Sequence, residues 1–238
     1  MNGRLAIEAV LFDLDDTLYE YSPCNDAGLR EAYARLALDS DLSADRFFAL
    51  HDEVRLELAQ ELAGQAASHE RSHFFKRIVE RSVGPAHVGL MSALNEAYWS
   101  AFLDRMQLAS GATEVLEELS SKYALAVVSN HTTLPQLRKL ERLGIASHFK
   151  VLLTSEEAGA DKPDRRIFDR ALQALDVPAG RAVMVGDNLQ GDVRGAEALG
   201  MRAVLSTQFV GASLGDDVQY RIEQLEELPG TLERMAAD

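Results

Sequence analysis

Two textures of apolar residues alternate with polar ones along this chain. The run Val10, Leu11 and Phe12 stops abruptly at Asp13, Asp15, Asp16 and Thr17. That pattern reads as a buried strand breaking into a polar turn. The next segment, YEYSPCND, reads as a turn because of Pro23. Apolar residues then recur at helical spacing, as in Leu29, Ala32, Tyr33 and Leu36, and again in Phe47, Leu50, Val54 and Leu58. The spacing predicts helices throughout about 27–103, among them 72–81 and 87–103, with Gly84 and Pro85 marking the break. No strand-like alternation interrupts this stretch.

From Gly111 the texture changes. Short β-rich runs at 124–128, 150–153, 182–185 and 203–205 alternate with helical patterns at 112–121, 134–143, 164–175 and 192–199. Alternation of this kind builds a parallel sheet with helices on both faces, joined by right-handed crossovers. The expected class is therefore α/β, with a Rossmann-like core to which the opening strand also belongs. The helical stretch becomes an inserted all-α domain. The expected division is 1–18 and 106–238 for the core and 19–105 for the insert, placed as a lid over the carboxyl edge of the sheet.

Charge narrows the partners. The 238 residues include 24 Lys and Arg against 38 Asp and Glu, a formal charge of −14. Such a balance disfavours nucleic acid and anionic membrane, and it steers anionic substrates poorly. Any anion site has to be built locally, from a metal, a lysine or backbone NH groups. Cys24 is the only cysteine, which excludes a disulfide within the chain and a zinc site of several thiolates. Near the N-terminus, acid stands where a signal peptide would have small residues, and no apolar run approaches a membrane span. A soluble, cytoplasmic protein is expected.

The candidate chemistry falls at strand ends, where open α/β sheets bind ligands. Asp13 and Asp15, two apart on an extended chain, lie on one side of it and can share a divalent cation. Ser129 and Asn130 follow the 124–128 run, just before a helix starting at Thr132 or Thr133, and can hold an anion there. Their plainer reading is a helix N-cap. Lys162 precedes Pro163 and a helix start, where a lysine is ordinarily solvated but here can supply positive charge to the site. Gly186 and Asp187 follow the 182–185 run, with Asp192 opening the next helix. Asp187 adds a third hard oxygen ligand suited to magnesium, while Asp192 also suits a helix's first turn.

Taken together and in order, FDLDDTL, VVSN, DKPD and VGDNLQGD resemble the four motifs of the haloacid dehalogenase-like superfamily. The helical insert between the first and second motifs resembles the C1-type cap of its subfamily I. This resemblance implies a magnesium-dependent phosphatase rather than a dehalogenase, because dehalogenases of the superfamily lack the second aspartate and need no metal. It implies Asp13 as the nucleophile that becomes an aspartyl phosphate and Asp15 as the acid and base, oriented by Thr17. Asp13 must then be ionised and Asp15 protonated at the start, so their pKa values are expected to be pushed apart in that sense, with the metal favouring charge on Asp13 and the Asp15 side chain escaping it. Magnesium would be held by Asp13, the Asp15 carbonyl and Asp187, with Asp192 orienting that shell. Ser129, Asn130, Lys162 and Thr17 would serve the phosphoryl group. His131 stands where many relatives have a smaller residue, and is expected to narrow the phosphate pocket or to contact substrate. The substrate would be a small phosphorylated metabolite, with Tyr19, Tyr21, His69, Arg71 and His73 as candidate contacts to its leaving group. The plainer reading of the last group is solvated or packed residues. A phosphomutase, or a non-catalytic binding protein on the same fold, is the alternative.

Overall fold

The computed structural model describes residues 6–210 and 218–237. The chain divides into two compact units, one of Met1–Glu20 with Gln107–Asp238 and one of Tyr21–Met106. The first is built on a six-stranded sheet. Its strands are β1 (Ala9–Phe12), β2 (Ala124–Ser129), β3 (Val151–Thr154), β4 (Ala182–Gly186), β5 (Arg202–Ser206) and β6 (Arg221–Ile222). They lie in the order β3-β2-β1-β4-β5-β6, and every pairing is parallel.

All four residues of β1 are buried, as are all five of β4. Helices on both faces explain why these strands read as continuous apolar runs without alternation. On one face Leu11, Val128 and Met184 pack with Ile167, Phe168 and Ala171. Each such side chain contributes roughly 1.5–3 kcal/mol by leaving water. The order in which strands are added reverses at β1, which is paired with β2 on one side and β4 on the other. The crevice beyond the carboxyl ends of these three strands is the switch point where such sheets bind ligands.

In the helical unit, α1 (Tyr21–Leu36), α2 (Ala44–Glu61), α3 (Arg71–Ser82) and α4 (Val88–Arg105) pack around Phe47, Val54, Phe74, Phe75, Ile78, Tyr98 and Phe102. Gly28 lets α1 approach α4 closely, since a Cβ there would sit 2.6 Å from the Tyr98 ring. The sheet unit adds α5 (Ala112–Lys122), α6 (Thr133–Leu143), α7 (Ser155–Ala158), α8 (Arg165–Leu175), α9 (Gly195–Glu197) and α10 (Leu228–Ala237). Among the described residues, no helix is long and apolar enough to cross a membrane.

Three local expectations need correction. The segment read as a turn around Pro23 is the start of α1, because a proline in a helix's first turn removes only an NH that has no intrahelical partner. The helix expected at 192–199 begins earlier, as a π-helical turn over Leu189–Arg194. The Asn188 side chain accepts from Gln190 N and Gly191 N and so opens that turn. Finally, β6 has two residues, too few for alternation to show in the sequence.

Candidate active site

Asp13 follows β1 directly, and its NH donates to the Val185 carbonyl at 2.8 Å. The sheet thus continues one residue into the motif and fixes the position of this carboxylate between β2 and β4. Lys162 reaches it from the segment ahead of α8. Its Nζ donates to Asp13 Oδ1 at 2.7 Å and to the Val128 carbonyl at 2.8 Å. It also lies 2.6 Å from Asp192 Oδ1. Asn130 holds that segment in place, since its amide donates to the Lys162 carbonyl and its Oδ1 accepts from Lys162 N. The side chain expected to serve a phosphate is therefore committed to the lysine's backbone. Asp164 caps α8 by accepting from Arg166 N, so Pro163 stands before the helix and not inside its first turn.

Asp13, Asp187 and Asp192 offer carboxylate oxygens that all lie within 4.8 Å of one another. Asp192 is fully buried, and one of its oxygens accepts from Asn188 N. The other, Oδ1, is paired with the Lys162 ammonium. Gly186 makes room for Asp192, because a Cβ there would meet its carboxylate at 2.2 Å. Burial raises Asp13 to about 7, helped by Asp192 and Asp15 and opposed by Lys162. Burial likewise raises Asp187 to about 8, with Asp13, Asp192 and Asp16 adding to it. Lys162 is kept charged, because its attraction to Asp13 and Asp192 outweighs its own burial. Three clustered acids with one lysine form a set that lacks positive charge. Hard oxygen donors in that state fit a divalent cation such as magnesium.

Asp15 lies apart from that set. Lys139, on α6, donates to both of its carboxylate oxygens at 2.7 and 2.8 Å, and the Tyr19 hydroxyl donates to Oδ1 at 2.5 Å. Burial alone would raise this acid, but Lys139, His131 and the Tyr19 bond outweigh it and hold Asp15 below its ordinary value. In the cation-free protein burial thus makes Asp13 the raised acid and Lys139 makes Asp15 the lowered one, whereas the expected order belongs to the site with magnesium bound, which would favour charge on Asp13. Thr17, expected to orient Asp15, is buried with no partner for its hydroxyl. Lys139 and Tyr19 hold Asp15 instead, and Tyr19 belongs to the sheet unit, fully buried beside it.

Ser129 closes β2 and accepts from the Gln136 amide on α6. With Gln136 as donor, the Ser129 hydroxyl proton is left to point at an anion. His131 is buried, and its Nδ1 accepts from Thr132 N at 2.8 Å, which assigns a ring proton to Nε2 if the imidazole is neutral.

The helical unit brings two of the remaining candidates together. Arg71, at the start of α3, donates to the Tyr98 hydroxyl at 3.2 Å, to the Tyr21 hydroxyl and to the His69 carbonyl. Its guanidinium also lies 4.7 Å from the Phe74 ring centroid. No carboxylate pairs with it among the described residues. His73 lies on the same helix, with its Nδ1 3.1 Å from the Ala67 carbonyl, a contact that ties down the preceding turn. His69 contributes its carbonyl to Arg71.

Lys139 and Gln136 are the site residues missing from the sequence reading. Their three-residue spacing puts them on one helix face, and a lysine and a glutamine sharing that face with Leu140 was the available signal.

A family model described as haloacid dehalogenase-like hydrolase matches residues 7–200. A ribulose-1,5-bisphosphate 5-phosphatase of Halopiger xanaduensis is 46% identical over 199 residues, 83% of each chain. A glyceraldehyde 3-phosphate phosphatase of Methanothermobacter thermautotrophicus is 34% identical over 217 residues, 90% of this chain and 91% of that one. Among solved structures, a 2-haloacid dehalogenase of Pseudomonas syringae is similar at a TM-score of 0.78 and 27% identity, over 96% of this chain and 99% of that one. With the motif residues assembled at one sheet edge and a family model spanning most of the chain, this protein belongs to the haloacid dehalogenase-like hydrolases.

Proposed function

We propose that this protein is a magnesium-dependent phosphatase that hydrolyses a small sugar phosphate through an aspartyl phosphate on Asp13. The observation that supports this best is the buried Asp13 carboxylate at the switch point, bonded to Lys162 and clustered with Asp187 and Asp192. The two phosphatase relatives support a phosphorylated sugar or aldehyde as substrate. Likeness to a dehalogenase does not alter the reading, because this chain has Asp15 and the clustered acids. A charge of −14 opposes a nucleic-acid partner, and the single cysteine suits a reducing cytoplasm.

In this reading Asp13 attacks phosphorus in line, and the bond to the leaving alcohol's oxygen breaks as the carboxylate–phosphorus bond forms. The Ser129 hydroxyl, Lys162 Nζ and NH groups near Asp15 and Asn130 hold the phosphoryl oxygens. Asp15 gives a proton to the leaving oxygen. It then takes one from the water that attacks the aspartyl phosphate, which restores Asp13 and releases inorganic phosphate. Magnesium would be held by Asp13, the Asp15 carbonyl and Asp187, with Asp192 supporting them, and when bound it neutralises charge between carboxylate and phosphoryl oxygens. The helical unit, Tyr21–Met106, is the cap of this reading. Release of phosphate from ribulose 1,5-bisphosphate, glyceraldehyde 3-phosphate and other phosphorylated metabolites tests the reading. No release from any phosphomonoester, p-nitrophenyl phosphate included, overturns it.

Chelation is expected to abolish turnover and magnesium to restore it. A linked pH effect reads the site without activity. Between the ordinary carboxylate value of 3.8 and the raised values of about 7 and about 8, the folded cation-free protein holds protons that the unfolded chain has lost. The acid cluster therefore costs stability as pH rises through that window, and a bound cation must displace those protons. Magnesium is expected to bind at least roughly tenfold more tightly at pH 8 than at pH 6, the effect of one such acid alone, and to raise Tm more at pH 8. A Tm shift larger at pH 6 would contradict the assignment of these acids to a cation.

Arg71 offers a guanidinium with no carboxylate partner, and we assign it to the leaving group of the substrate. Arg71→Ala is expected to lower kcat/KM on the preferred substrate roughly ten- to hundredfold, the scale of a charge-assisted hydrogen bond. On p-nitrophenyl phosphate the loss is expected to stay within about threefold, because the neutral nitro group is a weak acceptor and the aryl oxide leaves without help. Equal losses on the two would reduce Arg71 to a tether between Tyr21 and Tyr98.

A further inference from the structure

The chemistry just described leaves one buried charged side chain without a task. The Lys139 side chain is fully buried at 0% exposure, yet it sits on a helix whose outer face carries Leu134 and Leu137 at 58% and 45% exposure. Burying an ammonium is costly, and an apolar side chain of similar length would fill the same space at lower cost. Its contacts are specific. Nζ meets both Asp15 oxygens, the Tyr19 hydroxyl meets Oδ1, and Nζ stands 5.7 Å from the Tyr19 ring centroid. One turn earlier on the same helix face, Gln136 holds Ser129. A single helix thus sends one buried polar side chain to each of two site groups.

The positive charges are divided in the same way. Lys162 serves Asp13 and Asp192, whereas Lys139 serves Asp15. Asp13 and Asp15 stand two residues apart, so a loose Asp15 carboxylate would be drawn to the same positive charges as Asp13. We propose that Lys139 is a positioning residue for phosphoryl hydrolysis, which together with Tyr19 fixes the Asp15 carboxylate on the α6 side, apart from the Asp13, Asp187 and Asp192 set. The two aspartates of the first motif are made inequivalent by this arrangement, one committed to phosphorus and the other to proton exchange with the leaving oxygen and with water. The inference rests on the phosphatase reading and adds to it a residue outside the four motifs.

The test is a double-mutant cycle in the full-length protein. Lys139→Met, Asp15→Asn and the pair are compared by kcat and KM on an alkyl phosphate, glycerol phosphate, and on an activated aryl phosphate, p-nitrophenyl phosphate. Lys139→Met is expected to lower kcat on the alkyl phosphate roughly ten- to hundredfold, at the low end of acid–base contributions, with a smaller loss on the aryl phosphate and KM within about threefold of the parent. In the Asp15→Asn background the same substitution changes kcat less than about twofold, since the group it acts through is gone. In cation-free protein it also raises Tm above that of Asp15→Asn alone, because an uncompensated buried ammonium is removed. Lys139→Gln supplies the same comparison if Lys139→Met does not fold. An equal effect of the lysine substitution with and without Asp15, or equal losses on the two substrates, overturns the proposal and leaves Lys139 a structural ion pair. Turnover that survives Asp13→Asn would instead overturn the underlying phosphatase mechanism, and that control separates the two failures.

Discussion

Replacing Asp13 with Asn is expected to lower turnover at least roughly 10⁴-fold, the scale seen when a nucleophile is deleted from a site whose groups act as a unit. The substitution keeps the shape and an oxygen for Lys162 Nζ, 2.7 Å away in the parent. What it removes is the carboxylate that forms the phosphoenzyme. Stability separates loss of chemistry from loss of fold. Asp13 is raised to about 7 by burial and by the neighbouring acids, so the folded protein binds a proton more tightly than the unfolded chain does. From 3.8 up to about 7 the ionisation of Asp13 therefore costs stability, and above about 7 the whole cost is present. Cation-free Asp13→Asn at pH 8 is accordingly expected to melt at or above the parent's Tm. Activity above about one per cent of the parent, or a much lower Tm, would contradict the assignment of Asp13 as a buried nucleophile.

The sheet was legible because its strands are short apolar runs ending in polar residues, and β1, β2 and β4 each deliver a motif residue at the carboxyl end. Asp13, Ser129 and Asp187 were readable for that reason, since strand ends meet at a switch point wherever the strands are parallel. Lys139 was harder to see. The helix TLPQLRKLERL can be laid with Leu134 and Leu137 inward or with Gln136, Lys139 and Leu140 inward, and hydrophobicity alone favours the first. The structure adopts the second, because two buried polar side chains find partners in Ser129 and Asp15. Pairings between residues far apart in sequence, such as 15 with 139, have no local signal. The cation-free acidities of Asp13 and Asp15 have no local signal for the same reason. A sequence shows that two acids are neighbours, while the lysine given to each depends on tertiary structure.

Asp15→Asn is expected to affect the two chemical steps differently. In the structure Asp15 is held as a carboxylate by Lys139 and Tyr19. It is therefore ready to accept a proton from water in the second step. For the first step it must take up a proton before it can give one to the leaving oxygen. An alkyl leaving group needs that proton, whereas an activated aryl oxide leaves without it. Loss of the acid is therefore expected to cost on the order of a hundredfold to ten-thousandfold on the alkyl phosphate in the first step, with little first-step loss on the aryl phosphate. With the aryl substrate the second step, now without its base, becomes limiting, and aspartyl phosphate accumulates on Asp13. The asparagine also leaves the Lys139 ammonium without its carboxylate, so Tm falls below the parent's. Single-turnover kinetics on both substrates, with mass analysis of the trapped protein, reads both steps. Equal losses on the two substrates with no phosphoenzyme would remove Asp15 from both proton transfers. They would leave its contact with Lys139 as a feature of the fold alone, because a carboxylate that exchanges protons with the leaving oxygen must discriminate between leaving groups of different basicity.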